Sequence, residues 1–231
     1  MGNNALIIGA GPGNSASLAR LLNREGYSLH LAARNAGKLG SLAQETGAMA
    51  HSCDASDADQ VAALFDAVPG RIEVVVYNPS ARSRGPVAEL DPAEVRRALE
   101  ITAFGAFLAG KHAAGRMLAQ PAKDGKRGTI LFTGASAGVK GFPQSASFAM
   151  GKFAQRGLAQ SMARELHPQG IHVAWINIDG GIRNPGRTEP QDRPDSMLDP
   201  DEIARAYLGL IQQQRSVWSN ELAIRPWLER F

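Results

Sequence analysis

The chain has 231 residues, 44% apolar and 20% charged, and its 25 Lys+Arg against 22 Asp+Glu leave a net charge of +3. These proportions supply a full hydrophobic core and exclude a disordered, collagenous or low-complexity chain. A small, scattered positive excess with 6% aromatic residues disfavours nucleic acid as a partner. Cys53 is the single cysteine, so no internal disulfide forms, which fits a reducing cytoplasm. The histidines (His30, His51, His112, His167, His172) are too dispersed for metal-ligand spacing. No stretch approaches the ~20 apolar residues of a membrane span, and because the N-terminus runs straight into a strand-like segment no signal peptide is expected.

Apolar β-type runs fall at residues 5–8, 28–33, 48–53, 72–77, 129–133, 171–178 and 222–224. Between them apolar residues recur at three- and four-residue spacing, as in Leu18, Leu21 and Leu22 or Val61, Leu64 and Phe65. Alternation of this kind predicts a parallel sheet covered on both faces. With right-handed crossovers it gives a single doubly wound α/β domain of the Rossmann type over residues 1–231, with a seven-stranded parallel sheet. The stretch 179–200, rich in Pro, Gly and Asp and lacking period, is the expected mobile loop or lid.

Gly9-Ala10-Gly11-Pro12-Gly13-Asn14-Ser15 follows the first strand and precedes a helical pattern. Glycines there let the backbone turn sharply and approach a pyrophosphate, with a helix N-terminus behind it. A plain strand-to-helix turn would also favour glycine; the position on the first strand of a βαβ unit points to a nucleotide. The second strand ends at Arg34, where an NAD site would carry Asp or Glu, so a 2′-phosphate and NADP(H) are favoured over NAD(H). A solvated surface arginine is the bland alternative. Asp54, ending the third strand, could bond an adenine amino group or cap the helix beginning near Asp57.

Taken in order, these residues resemble the short-chain dehydrogenase/reductase family over nearly the whole chain. The resemblance rests on the Gly9/Gly13 turn, Asp54, Asn78-Pro79-Ser80-Ala81 after the fourth strand, the helix around residues 101–107, residues 134–141 after the fifth strand, and Phe148-Ala-Met-Gly-Lys152 at the place of Tyr-x-x-x-Lys. It implies hydride transfer between a nicotinamide and an alcohol or carbonyl carbon, and a homodimer or homotetramer. It also implies cofactor contacts at Gly9, Gly11, Pro12, Gly13, Arg34, Asp54, Asn78, Lys152 and Ile182.

Carried over one by one, the family's catalytic Asn, Ser and Tyr fall on Thr102, Ala135 and Phe148, and Lys152 alone matches. The third glycine of the turn reads Ser15, and the Pro-Gly after strand six reads Asp179-Gly180. Phenylalanine has no ionisable proton and alanine no hydroxyl, so the family's proton relay is not expected here. Ser136, Ser145, Ser147 and Asp179 are the candidate substitutes for the donor, each with a capping or turn role as the alternative. Lys152 retains the family's second role, bonding the nicotinamide ribose.

Three readings follow from this pattern. The first is an NADP(H)-dependent oxidoreductase acting on an unknown small organic substrate by altered proton chemistry. The second is a catalytically inactive nucleotide-binding sensor or partner subunit, and the third a fold whose cofactor site is empty. The resemblance places subunit contacts on the fourth and fifth helices, roughly residues 93–115 and 147–167, where Ala113, Ala114, Gly115, Ala154, Gly157 and Ala159 would allow close packing. Trp227 and Phe231 in the C-terminal tail are expected to be buried against the domain or a neighbour.

Overall fold

The computed structural model describes residues 3–229. Seven strands, β1 (Asn4–Ile8), β2 (Ser28–Ala33), β3 (Met49–Ser52), β4 (Ile72–Tyr77), β5 (Gly128–Thr133), β6 (Ile171–Ile178) and β7 (Glu221–Ile224), form one sheet in the order β3-β2-β1-β4-β5-β6-β7. Every pairing is parallel. The expected strands and their boundaries agree with this sheet to within one residue at either end, and the α/β doubly wound class stands.

Side chains alternate across each strand. On one face Leu6, Ile8, Val75 and Ile130 pack under α3 (Ala58–Ala67), α5 (Gly105–Ala119) and α6 (Ala146–Leu166). On the other, Ala5, Ile7, Val74 and Leu131 pack under α1 (Asn14–Arg24), α2 (Gly40–Thr46) and α7 (Pro200–Gln212). Because both faces are covered, the central strands read as nearly continuous apolar runs rather than alternating ones.

Helix starts follow local chemistry. Asp57 caps α3 by accepting from the amides of Asp59 and Gln60, which settles the capping question raised for Asp54. Asp91 and Asp199 do the same for α4 (Pro92–Leu99) and α7, each followed by a proline at the first helical position. Between α4 and α5 the chain makes a π-helical turn, Glu100–Phe104. Such turns release backbone carbonyls from the regular ladder. Here the Tyr77 hydroxyl donates to the Ile101 carbonyl and the Gln155 amide to that of Thr102.

Two expectations change. Ala113 and Ala159 are buried in the chain's own core, because α5 and α6 turn these small residues toward the sheet and not outward. Trp227 is 76% exposed and Leu228 is exposed beside it, so neither packs against the chain's own domain, although Pro226 before them is buried; Phe231 lies outside the described residues. The stretch after β6 is tied at its base by a parallel bridge between Ile182 and Leu198 and an ion pair between Arg183 and Asp199. No helix among the described residues is long and apolar enough to cross a membrane.

Candidate functional site

The glycine turn sits at the C-terminal end of β1, beside the point where strand order reverses between β1 and β4. Open α/β sheets bind ligands in the crevice at such a point. Gly9 has φ +78° and Gly13 φ +92°, conformations that side-chain-bearing residues rarely adopt. The amides of Gly9 and Ala10 both donate to the Ala32 carbonyl at 2.9 Å, which folds the turn against β2. Helix α1 opens behind it with no side-chain cap.

Asn78 proves to be a brace for this turn rather than part of the cleft wall. Its amide donates to the Gly9 carbonyl at 3.1 Å and to the Ser15 hydroxyl at 2.9 Å. Ser15, in place of a third glycine, is buried, and its hydroxyl also donates to the Gly9 carbonyl. The extra side chain therefore ties α1 to the turn without filling the space in front of it.

A cleft of about 820 Å³ opens there. Its floor is Gly9, Ala10, Gly11 and Pro12, and one end carries Arg34, Lys38 and Asp54. The Asp54 carboxylate accepts from the hydroxyl and amide of Ser56 and faces Arg97 at 3.8 Å. The Ser56 hydroxyl and amide, aided by Arg97, hold its carboxyl below the usual aspartate range. Residues 79–83 wall the other side. That segment is stitched in place: Thr102 Oγ1 accepts from the Ala81 amide at 3.0 Å, and the buried Ser147 hydroxyl accepts from the Ser83 amide and donates to its carbonyl.

Phe148 is 9% exposed, and the Arg82 guanidinium lies 4.1 Å from the centre of its ring. A cation over an aromatic face is attracted by the ring quadrupole. Thr102 is fully buried at the π-helical turn, and its hydroxyl is spent on Ala81. Gly13, Ala135, Phe148, Lys152 and Ile182 do not line the cleft. Gly13 lies under the loop after β6, where a Cβ would meet the Asn184 side chain at 3.3 Å. Ile182 is taken up by its bridge to Leu198.

Lys152 is held by internal partners. It is 2% exposed, and its ammonium donates to the Thr133 carbonyl and to Gln155 Oε1. Among the described residues no carboxylate compensates it, so burial pulls its pKa down to about 7. Gln155 completes the network by accepting from the Trp175 indole and donating to the Thr102 carbonyl. Among the substitute donors, Ser147 is committed to Ser83, and Asp179 lies 3.7 Å from Arg225. The sequence reading missed Lys38, Arg97 and Arg82. Lys38 was detectable, four residues beyond Arg34; nothing local marks Arg82 as the partner of Phe148.

A profile described as short chain dehydrogenase matches residues 3–189. The chain belongs to that family. Sorbitol-6-phosphate 2-dehydrogenase of Escherichia coli (strain K12) is 26% identical over 227 residues, 93% of this chain and 86% of that protein. Cis-4-hydroxycyclohexanecarboxylate dehydrogenase of Sinomonas cyclohexanicum is 32% identical over 177 residues, covering 73% and 69%. Among solved structures, a short-chain dehydrogenase from Rhodopseudomonas palustris superposes with a TM-score of 0.83 at 35% identity, covering 97% of this chain and 99% of that one. A metagenomic short-chain oxidoreductase in complex with NADP gives a TM-score of 0.83 at 28% identity over 98% of each chain. The chain therefore has the fold and family of short-chain oxidoreductases, with neighbours that hold NADP.

Proposed function

We propose that this chain binds NADP(H) in the cleft and transfers hydride to or from a small organic substrate without the family's phenol–serine relay. The carrying observation is that Gly9–Pro12, Arg34, Lys38 and Asp54 line one cleft. The residues fit the adenylate half of the cofactor. A Cβ on Gly11 would meet nothing within 4 Å, so the backbone is bare where a pyrophosphate would pass. Arg34 and Lys38 supply two cations for a 2′-phosphate, and Asp54 an acceptor for an adenine amino group.

The bound nicotinamide would supply the hydride. What this chain adds is orientation and exclusion of water, because Phe148 and Ala135 can neither give nor take a proton. Loss of a positioned acid lowers rate ~10²–10⁴-fold, and loss of one oxyanion donor costs about 3 kcal/mol. The reading therefore favours a substrate that accepts hydride readily, such as an activated double bond. Purified protein incubated with NADPH and a panel of ketones, enals and quinones should oxidise NADPH with at least one of them. No turnover across the panel would sink the enzyme reading.

Arg34→Gln is expected to weaken NADPH about 10–100-fold and leave NADH within about twofold. A charge-assisted bond contributes about 1.5–3 kcal/mol, and 1.4 kcal/mol is tenfold. Calorimetric titration of both coenzymes checks this; equal losses would make Arg34 a surface charge.

Lys152 favours a second reading, nucleotide binding without turnover, as a sensor or partner subunit. Its bonds to Thr133 and Gln155 would have to break before it reached a ribose. If Ala135→Ser with Phe148→Tyr gains ketone reduction that the parent lacks, the cleft is a degraded enzyme site. The cytoplasm suits Cys53, whose buried thiol is pushed up to about 11. We also propose a homodimer or homotetramer through the α5 and α6 faces, where Phe107, Met150 and Phe153 stand exposed, with Phe104 exposed on the π-helical turn just before α5.

A further inference from the structure

The guanidinium on Phe148 belongs to a larger feature. Arg82 and Arg84 come from the loop after β4, and Arg187 from the loop after β6. Asn184 and Arg187 exchange backbone hydrogen bonds at 3.1 and 2.9 Å, a turn that lies over Gly13 and brings Arg187 Nη1 to 3.5 Å from where a Gly181 Cβ would be. Among the described residues, none of the three arginines forms an ion pair with a carboxylate. Partial burial, then Arg84 and Arg187, pull the proton affinity of Arg82 down, and among the described residues no carboxylate offsets them. Glu94, a carboxylate on the cleft wall, accepts from the Ser83 hydroxyl at 2.7 Å. Like charges gathered without a counter-ion are unfavourable, and guanidinium forks match carboxylate and phosphate geometry.

This cluster is separate from the Arg34 end. Strands β2 and β4 flank β1 on opposite sides, so their ends lie ~10 Å apart at the usual strand spacing. We propose that Arg82, with Arg84 and Arg187, takes the anionic group, a carboxylate or phosphate, of the small-molecule substrate beside the Phe148 ring. This rests on the cleft being a cofactor-and-substrate site. Phe148 contributes a flat apolar platform that holds Arg82 over the cleft. A tyrosine there would place a phenol at the edge of the same platform.

The test is calorimetric titration of the whole protein, with and without NADPH, using benzoate, phenyl phosphate, inorganic phosphate and neutral benzyl alcohol. Benzoate or phenyl phosphate is expected to bind at least tenfold more tightly than benzyl alcohol. Arg82→Gln and Arg187→Gln should each lose tenfold of that, and Arg82→Lys less. Both side chains are exposed, so truncation leaves the core intact. Arg34→Gln should keep the benzoate Kd within about twofold while weakening NADPH. Unchanged anion affinity in the Arg82 and Arg187 variants overturns the subsite, as does equal binding of benzyl alcohol or no anion binding. Inorganic phosphate binding as tightly as phenyl phosphate overturns a substrate role. Anion binding at Arg82 in a protein that takes no NADPH would instead refute the cofactor reading and leave the subsite standing.

Discussion

Gly9→Val is expected to lower thermal stability by about 10–15 °C and to abolish measurable NADPH binding. Two independent penalties act at this position. Gly9 has φ +78°, and a β-branched residue at positive φ costs about 1–3 kcal/mol. A Cβ would also come 2.7 Å from Pro79 Cγ and Cδ and 2.8 Å from its backbone nitrogen, atoms of a ring that cannot swing aside. Overpacking of this kind costs about 1–3 kcal/mol more. For a domain of this size ~1 kcal/mol corresponds to about 2–4 °C. Gly11→Val separates folding from binding. Its Cβ would meet nothing within 4 Å, so stability should hold within about 2 °C while NADPH affinity falls at least tenfold. Melting curves and coenzyme titrations of the two variants decide the matter. A Gly9→Val protein melting with the parent would show that the turn is not strained as described.

Removing the buried ammonium of Lys152 should erase a pH dependence of stability. In the folded chain this group titrates at about 7, against 10.5 for an ordinary lysine. Between those values the unfolded chain binds the extra proton, so stability rises with pH from about 7 upward. Below pH 7 the folded chain carries the full burden of a buried charge. From pH 7 to 8.5 the group contributes a rise of about 2 kcal/mol, at 1.36 kcal/mol per pKa unit. Lys152→Met should flatten that rise in urea unfolding, and at pH 8.5 the variant loses about 1–3 kcal/mol because the Thr133 carbonyl loses this donor, while Gln155 Oε1 keeps only the Trp175 indole. Identical slopes in parent and variant would refute it. NADPH affinity of the same variant bears on the two functional readings: an unchanged Kd favours Lys152 as an internal strut over a ribose ligand.

Much of the frame was legible because its causes are local. Strands buried on both faces are apolar at most positions, so 72–77 and 171–178 stand out despite Glu73, His172 and Asn177, without any knowledge of what covers them. Gly9 and Gly13 stand out because few residues tolerate positive φ. The order of the family's motifs then located the cleft. Asp54 was ambiguous for an equally local reason: two aspartates three apart can both cap a helix, and hydrogen-bond geometry assigned the cap to Asp57.

From the chain alone came the doubly wound sheet, the glycine turn, the cationic end of β2, and the absence of a phenol and a hydroxyl at positions 148 and 135. Each is a property of one residue or of a short periodic run. Only the folded arrangement decided that Lys152 bonds Thr133 and Gln155, that Asn78 and Ser15 brace the turn, and that Arg82 covers Phe148 while Arg187 arrives from another loop. Apart from Lys152 and Gln155, which share a helix, those partners are far apart in sequence and meet through the fold, and burial and charge depend on neighbours that no local pattern encodes.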